Sequence, residues 1–536
     1  MFTLAILIIT YSYSIFLLGM IGWLREPVLF FATGGYIIGY GIYLYNKKQL
    51  LPNISFAFLP KKGKILFFSS LLLVFTQCLV NIVPVFGPEL GFDALWYHLT
   101  LPKIYLLHHA IIHILGGLLY YTDMPKLVEM LYVPAIAFMQ ENGAKFIHFL
   151  FGILCLVATF AIGKKLFSRP LALIATLIVT TNLVFSWESS SAYIDLGRTF
   201  FELLAFWSFL NWTEQKKQSY FVLSAVFLGA AITTKLIAIG SLLIFIPLIF
   251  FRDVKGYEHL QRTIRKSLLY VFIALSIALP WFVFSYIHTG NPVYPLFSSA
   301  YPIHGYGKVI DPLYLLRSIF MLFTSSPDPL SPVYALAFPL LIAYGKRIFK
   351  TFPYLFLYSL LSLLVWYITP QSGGGRFILP YLPQLSLLVT TLLTVRMQNA
   401  LRNILIASIY IASCIGIFYR FAAAEKYIPA ILGSETKQQF LAKNLNFSFG
   451  DFADTDGYFA THIKKTDTVL LYGFHNLYYV DFPFVDNSWV KKWDTFDYVA
   501  IQNTAIPNRF RYLHLVYSNS VTHVQLYTTG NTLWTY

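Results

Sequence analysis

The composition identifies an integral membrane protein and excludes an ordinary soluble domain. Of the 536 residues, 57% are hydrophobic and only 12% are charged, whereas a soluble domain carries about 25% charged residues. The net charge of +15 does not indicate nucleic-acid binding, because the basic residues lie in short loops between apolar runs. Cys78, Cys155 and Cys414 fall inside those runs, which argues against a disulfide framework or a cysteine metal site.

The N-terminal part, residues 1–63, is predicted to contain two spans and a basic cytoplasmic loop. The first run, 3–21, has no basic n-region and no small-residue cleavage site, so we expect a retained span and not a signal peptide. A second span is predicted over 27–45. The lysines of the loop that follows place it on the cytoplasmic side. These lysines are Lys47, Lys48, Lys61, Lys62 and Lys64.

A third span, 65–86, delivers a charged and aromatic stretch to the outer face. The stretch reads GFDALWYHLTLPKIYLLHH (Gly91–His109) and continues with YTDMPKLVEMLY (Tyr121–Tyr132). Ionisable groups are expensive at membrane depth, so this cluster beside a span indicates a functional site. Its ionisable members include Asp93, His98, Lys103, Asp123, Lys126 and Glu129.

Further apolar runs predict about 13 spans in all. An interfacial helix at 127–140 precedes them, and the long outer segment 289–332 contains a short helix near 313–323. The predicted spans are 144–162, 170–187, 196–212, 220–232, 236–251, 267–287, 333–344, 354–369, 377–394 and 404–421.

Charge distribution fixes the expected orientation, with the N-terminus cytoplasmic and the C-terminus outside. Lys and Arg concentrate in the loops assigned to the inside. Most carboxylates before residue 422 lie at the outer face, which the rule for basic residues does not require. Acids gathered at one face indicate chemistry or cation binding there. They are Glu26, Glu89, Asp93, Asp123, Glu129, Glu141, Glu188, Asp195, Asp311 and Asp328.

Residues 424–536 differ from the rest, since charge rises and apolar runs shorten. TVLLYGF, YYVDF, DYVAIQN, HLVYS and VTHVQLYTT predict short strands, with a helix near 435–446. The predicted fold is therefore an α-helical polytopic membrane protein, with a transmembrane catalytic domain at 64–423 and a small α/β domain outside the membrane at 424–536.

An ordered set of outer motifs carries a resemblance to a known family. These motifs are GFDALWYHLTLPKIY, TDMPKLVEMLY, SAYIDLG, TTK, PWFVFSYIHTGNPVYPLF and GGGRFILPYLP. Together they resemble bacterial membrane glycosyltransferases of the GT-C superfamily, in the group of protein O-mannosyltransferases, lipid A aminoarabinose transferases and Rgt-type transferases. The likeness covers about 65–420 and implies a GT-C-like fold. It also implies sugar transfer from a polyprenyl-phosphate donor to a glycan, lipid or protein acceptor at the outer face of the cytoplasmic membrane.

The resemblance assigns Asp93 to the acid of the first outer loop and Asp195 to a second outer acid. Asp93 would be the general base in an inverting displacement. O-mannosyltransferases carry adjacent Asp-Glu in this loop, whereas Ala94 follows Asp93 here. The alternative for Asp93 is a cap or a pair with His98 or Lys103.

Asp195 would position the acceptor or share a divalent ion with Asp93. Its alternative is an ion pair with Arg198, which also reaches Glu202. No cofactor is certain from the sequence, and a divalent cation, Mg²⁺ or Mn²⁺, stays open.

The leaving phosphate needs cations, and the candidates are Lys126, Lys235 and Arg376. Arg376 follows three glycines that permit close approach to an anion; the alternative is a snorkelling flank residue. Glu129 would face the cavity or pair with Lys126.

Other residues are weaker candidates for substrate contact. His98 would orient Asp93 or contact substrate, and Asn291 would contact the donor. Aromatic residues would stack on sugar or prenyl groups, although interfacial belts also explain them. They are Trp96, Tyr97, Tyr294 and Tyr301. His108, His109 and His113 do not share one helix face, so they are a poor metal cluster.

Two other function classes fit a polytopic membrane protein. One is a transporter or flippase of lipid-linked sugars, against which no pair of Gly/Pro-broken spans recurs in two halves. The other is a non-catalytic protein whose outer domain binds envelope polymer.

Overall fold

A computed structural model describes residues 1–47, 61–253, 257–298, 312–326, 328–369, 374–530 and 534–535. Most of the predicted five-lysine loop lies outside the described residues. So do Tyr301, Asp311 and the first glycine of the Gly-Gly-Gly-Arg motif.

Helices dominate the chain as far as residue 424, and each predicted span overlaps at least one of them. The helices are α1 (Phe2–Met20), α2 (Glu26–Asn46), α3 (Lys61–Ile82), α4 (Thr100–His108), α5 (Glu129–Leu166), α6 (Arg169–Thr180), α7 (Leu183–Glu188), α8 (Asp195–Gln215), α9 (Gln218–Thr234), α10 (Leu242–Asp253), α11 (Tyr257–Thr289), α12 (Pro312–Thr324), α13 (Pro332–Thr351), α14 (Pro353–Ile368), α15 (Leu382–Thr391) and α16 (Asn399–Ala424). Within the described ranges, 7 helical segments are long and apolar enough to cross a membrane. The chain is thus a multi-pass membrane protein, and the number of 13 spans stays a prediction.

Several helices are shorter or more broken than the apolar runs predict. In α5, Gln140 has φ 51° and separates the predicted interfacial helix from the span after it. The span predicted over 170–187 ends early, at Thr180. The side-chain amide of Asn182, two residues later, donates to the carbonyls of Ile178 and Val179. Such side-chain hydrogen bonds compete with continuation of a helix.

The C-terminal residues form a five-stranded mixed sheet behind short helices. Helices α17 (Ile428–Ile431), α18 (Lys437–Asn444) and α19 (Tyr458–His462) precede or flank the sheet. The strands are β1 (Val469–Tyr472), β2 (Phe484–Asp486), β3 (Thr495–Phe496), β4 (Tyr498–Gln502), β5 (His514–Ser518), β6 (Val524–Thr528) and β7 (Trp534–Thr535). The strand order within the five-stranded sheet is β2-β1-β4-β6-β5, and β1 is parallel to both β2 and β4. The predicted fold class is confirmed, as an α-helical membrane domain with a small C-terminal α/β domain.

One strand prediction is wrong, because YYVDF (residues 478–482) forms no strand. Its backbone is used to contact the membrane domain instead. The Tyr478 N–H donates to the Leu95 carbonyl at 3.3 Å. The Tyr479 hydroxyl accepts from the Glu89 N–H at 2.8 Å and donates to the Glu89 carbonyl at 2.9 Å.

Two lysines attach the α/β domain to one end of the helical bundle. Lys103 donates to the Tyr478 and Val480 carbonyls at 2.7 and 2.9 Å. Lys437 pairs with buried Glu141 at 2.6 Å. These contacts hold both parts of the chain together at the end of the bundle that carries Asp93. We call this end the site end.

Gly116 approaches the backbone of the α/β domain closely, and its neighbour Gly117 provides a matched control. Gly116 has φ +97°, and a Cβ there would lie 1.9 Å from the Ser488 carbonyl oxygen, whereas a Cβ on Gly117 meets nothing. We expect Gly116→Ala to lower the free energy of unfolding by about 1–3 kcal/mol, and Gly117→Ala to leave it unchanged. Thermal unfolding of both variants in detergent measures this, and equal midpoints would contradict the predicted docking.

Candidate functional site

A buried carboxylate joins the two loops that carry Asp93 and Asp195. Glu89 accepts hydrogen bonds from the Gly91 N–H at 2.7 Å and, across the site, from the Ala192 N–H at 2.7 Å and the Ser191 hydroxyl at 2.8 Å. With these donors satisfied, a buried carboxylate is stable as a structural anchor. Glu89 thereby sets the spacing of the loop before Asp93 and the loop before Asp195.

Asp93 and Asp195, far apart in sequence, contact one guanidinium. Arg376 Nη1 lies 2.6 Å from Asp93 Oδ2, and its Nε lies 3.1 Å from Asp195 Oδ2. Lys235 Nζ lies 2.5 Å from Asp195 Oδ1. Lys235 reaches this position because α9 ends beside it in extended backbone. The structure therefore brings together four residues that the sequence singles out.

Close packing at Gly375 places Arg376 in the site. A Cβ at this position would lie 2.1 Å from the Asp328 carbonyl oxygen. The Gly375 N–H donates to the Ser326 hydroxyl at 3.1 Å. Gly375 thus permits a close backbone contact with Ser326 and Asp328, and the guanidinium of Arg376 is not a snorkelling flank group.

Glu188 is a third carboxylate at the same guanidinium, and the sequence reasoning did not single it out. Its Oε1 lies 3.5 Å from Arg376 Nε. The side chain is fully buried, and neither of its oxygens accepts a hydrogen bond within the described part of the chain. The one feature of the sequence that pointed to Glu188 was its place among the acids assigned to the outer face. The Tyr193 ring lies 4.5 Å from the guanidinium carbon of Arg376 and covers one face of it.

The electrostatics keep Asp93 ionised. Burial alone would raise the pKa of the Asp93 carboxyl, but the adjacent Arg376 charge, helped by His98 and Lys235, holds that pKa below its ordinary value. The Asp93 side chain is still 17% exposed. An ionised, partly accessible carboxylate can accept a proton from an incoming hydroxyl or amine.

The residues present do not fit a divalent ion shared between Asp93 and Asp195. The Arg376 guanidinium already contacts both carboxylates, so the positive charge between them comes from the chain. Among the described residues no group of three or more His, Cys, Asp or Glu is arranged to hold a metal ion.

The structure does not form several of the local pairings that were the alternatives to a functional role. Glu129 pairs with His98 at 3.0 Å and not with Lys126. Lys103 is engaged by the α/β domain, so it is not the partner of Asp93. Arg198 donates to the Tyr381 hydroxyl at 3.0 Å, and no ion pair joins it to Asp195 in the described residues.

His98 and Lys126 lie close to the site, and within the described part of the chain neither forms a hydrogen bond or an ion pair with Asp93. His98 Nδ1 faces Glu129, while its buried Nε2 has no hydrogen-bond partner among the described residues. Lys126 is buried and donates to the Tyr121 carbonyl. Burial lowers the pKa of the Lys126 ammonium to about 8.

The remaining candidates divide into one that contacts Asp93 and others that do not. Tyr97 donates its hydroxyl to Asp93 Oδ2 at 3.3 Å. The Asn291 side chain makes its hydrogen bonds inside its own turn. Its Nδ2 donates to the Leu296 carbonyl at 2.7 Å, and its Oδ1 accepts from the Val293 N–H at 3.0 Å. His113 pairs with Asp123 at 2.9 Å, and His109 faces the Leu24 carbonyl at 3.3 Å.

Comparison with known proteins bears on the fold. Residues 135–301 match a family model described as a domain of unknown function (DUF8201). No curated protein matches the chain by sequence.

Solved structures give a broader likeness. ArnT from Cupriavidus metallidurans in the apo state is 14% identical with a TM-score of 0.59, covering 85% of this chain and 97% of ArnT. ArnT bound to undecaprenyl phosphate gives the same identity and coverage with a TM-score of 0.56. The archaeal oligosaccharyltransferase AglB from Archaeoglobus fulgidus, with an inhibitory peptide and dolichol-phosphate, is 12% identical with a TM-score of 0.44, covering 81% of this chain and 69% of AglB.

The ArnT likeness extends over nearly the whole length of ArnT and most of this chain. At 14% identity it is evidence about architecture. The resemblance that the outer motifs carry is therefore confirmed at the level of the fold, which is similar to that of ArnT.

Proposed function

We propose that this protein is a glycosyltransferase that moves a sugar from a polyprenyl-phosphate donor to an acceptor at the outer face of the cytoplasmic membrane. The observation that carries this proposal is the cluster of Asp93, Asp195, Arg376 and Lys235 at the site end. It combines an ionised, accessible carboxylate with two cations. The fold of ArnT, which has been crystallised with undecaprenyl phosphate, supports a lipid-phosphate ligand.

In the proposed reaction Asp93 accepts the proton of the acceptor nucleophile as that atom bonds to the anomeric carbon. The bond from the anomeric carbon to the lipid phosphate breaks, and the phosphate leaves as an anion. Direct displacement inverts the anomeric centre. Arg376 and Lys235 stabilise the leaving phosphate, since charge develops there in the transition state.

Aromatic residues beside Asp93 indicate where the acceptor approaches. Phe92 stacks on His475 of the α/β domain, with ring centroids 4.8 Å apart, and Trp96 lies 4.5 Å from the same ring. These rings join the outer loop to the α/β domain beside the accessible carboxylate. We propose that acceptor groups contact this aromatic surface, which makes the α/β domain part of acceptor binding.

Lys126 gives a pH-dependent prediction for donor binding. Its pKa of about 8 means that the ammonium is charged below pH 8 and becomes neutral above it. If Lys126 contacts the donor phosphate, the KM for donor should rise between pH 8 and pH 9 by up to about fivefold, because the charged fraction of Lys126 falls from about one half to about one eleventh. Lys126→Arg should remove that rise, because a guanidinium stays charged. A donor KM that is independent of pH in the wild type would exclude Lys126 from phosphate binding.

The deciding experiment is transfer in nanodiscs from a polyprenyl-phosphate sugar to a panel of glycan, lipid and peptide acceptors. A glycosyltransferase forms a glycosidic product with inverted configuration. A flippase of lipid-linked sugars moves the donor between leaflets and forms no product. A polymer-binding scaffold does neither, so absence of product across the panel would count against the proposal.

A further inference from the structure

The turn at residues 491–494 of the α/β domain carries an exposed tryptophan beside two lysines. The Trp493 side chain is 70% exposed, and the Lys492 ammonium lies 5.0 Å from the centre of its ring. Asp494 closes the turn by accepting the Lys491 N–H at 2.7 Å. We call Lys491, Lys492 and Trp493 the Trp-Lys turn.

The backbone at Trp493 is unusual for a bulky residue. Its φ is +79°, a left-handed conformation that favours glycine and is an outlier for a large side chain. Such conformations persist where the surrounding structure imposes them and are often functional. Here the conformation accompanies an indole that is left in solvent.

The segment just before the Trp-Lys turn is fixed against the rim of the helical bundle. The Ser488 hydroxyl accepts from the Leu118 N–H at 3.3 Å. Trp489 packs against a buried cluster that includes Leu24 and Ile111. Four residues of extended chain reach about 14 Å at most, so Trp493 lies within that distance of Trp489.

This rim is also where the first helix ends. The Ile111 N–H donates to the Gly19 carbonyl and the Leu24 N–H to the His109 carbonyl, both at 3.0 Å. The apolar side chains around it are exposed, with Trp23 at 57%, Leu107 at 67% and Leu115 at 53%. Because α1 is a candidate span, these exposed side chains belong to the level of the bilayer surface.

From this continuity we infer that the Trp-Lys turn binds the membrane interface and anchors the α/β domain to lipid. Tryptophan favours the headgroup level, where one edge of the ring meets hydrocarbon and its N–H meets water. Lysine near the surface is attracted to anionic lipid. The headgroup layer is about 6 Å deep on each side, a depth that one indole and two lysine side chains can occupy. The bound partner is therefore an anionic lipid surface.

Anchoring would complement the polar contacts at Lys103 and Lys437. Those contacts attach the α/β domain to the helical bundle, and the Trp-Lys turn would attach it to the membrane lipid. The domain that presents His475 beside Asp93 would then have two independent attachments, one to protein and one to membrane.

The test compares the full-length protein with Trp493→Phe in nanodiscs made from ordinary or acyl-brominated lipid. The Trp493→Phe change is conservative at an exposed position. The wild-type minus Trp493→Phe emission spectrum isolates Trp493 from the other tryptophans. We expect this difference emission to be about twofold weaker in brominated lipid. Trp23→Phe, at the same rim, serves as the positive control.

Charge is tested with the double variant Lys491→Gln/Lys492→Gln in nanodiscs containing anionic lipid. The emission of this double variant, minus that of the same variant with Trp493→Phe added, should show weaker quenching of Trp493 by brominated lipid. Added salt should weaken the quenching of Trp493 in the protein that keeps both lysines. Equal Trp493 emission in ordinary and brominated lipid would overturn the inference. The same result is expected if protein or polymer, and not lipid, covers the turn. Quenching of Trp493 that is unchanged by the two lysine substitutions and by salt would overturn the proposed attraction to anionic lipid.

Discussion

Asp93→Asn should lower kcat/KM for sugar transfer by roughly 10²–10⁴-fold, the usual contribution of a general base. The amide has the shape of the carboxylate and can still accept the Tyr97 hydroxyl, but it cannot accept a proton from the acceptor. Folding should survive, because Arg376 keeps its contact with Asp195. Initial rates over a range of acceptor concentrations, together with unfolding midpoints, measure both effects.

A matched control comes from Asp481, a carboxylate on the same side of the molecule. Its side chain is 82% exposed and pairs with Lys103 at 2.5 Å, and exposed pairs contribute little to stability. Asp481→Asn should therefore keep full activity. If Asp93→Asn folds and transfers sugar like the control, Asp93 is not the base.

Local sequence patterns located the elements of the bundle well, because apolar runs and turn residues act over short distances. The family resemblance assigned Asp93 and Asp195, and the need for cations at a leaving phosphate made Lys235 and Arg376 candidates. Ion pairs between neighbours three or four residues apart were the alternatives for Asp195 and Glu129, yet Arg198 and Lys126 contact other partners in the structure. Asp93 and Arg376 are joined only after distant helices pack, which no local pattern contains.

Two further features lay beyond the sequence for the same reason. Glu188 is no different from other outer acids in the chain, and its closeness to Arg376, 3.5 Å between Oε1 and Nε, joins residues that are far apart in sequence. YYVDF has the composition of a strand, but Tyr478 and Tyr479 contact the Leu95 and Glu89 backbone instead. Tertiary contacts there override strand propensity.

Arg376→Met should cost both folding and catalysis, because it removes the cation that three carboxylates share. Lys235 would still pair with Asp195, whereas Asp93 and Glu188 would lose the guanidinium. Loss of one partner from a buried ion pair costs about 3–5 kcal/mol, so a clear drop in unfolding midpoint is expected. Transfer should fall by at least about 10²-fold, since a group that stabilises the leaving phosphate is lost.

Two companion variants separate electrostatics from packing. Lys235→Met leaves Asp195 paired with Arg376, so its stability loss should be smaller than that of Arg376→Met. Adding Asp195→Asn to Arg376→Met removes one of the unpaired carboxylates. We expect that double variant to regain stability but not transfer, since the phosphate still lacks its guanidinium. If Asp195→Asn brings no recovery, carboxylate repulsion is not the cause of the loss, and Arg376 acts mainly by packing on Tyr193. If transfer recovers together with stability, Arg376 is a structural residue and the leaving phosphate is stabilised elsewhere.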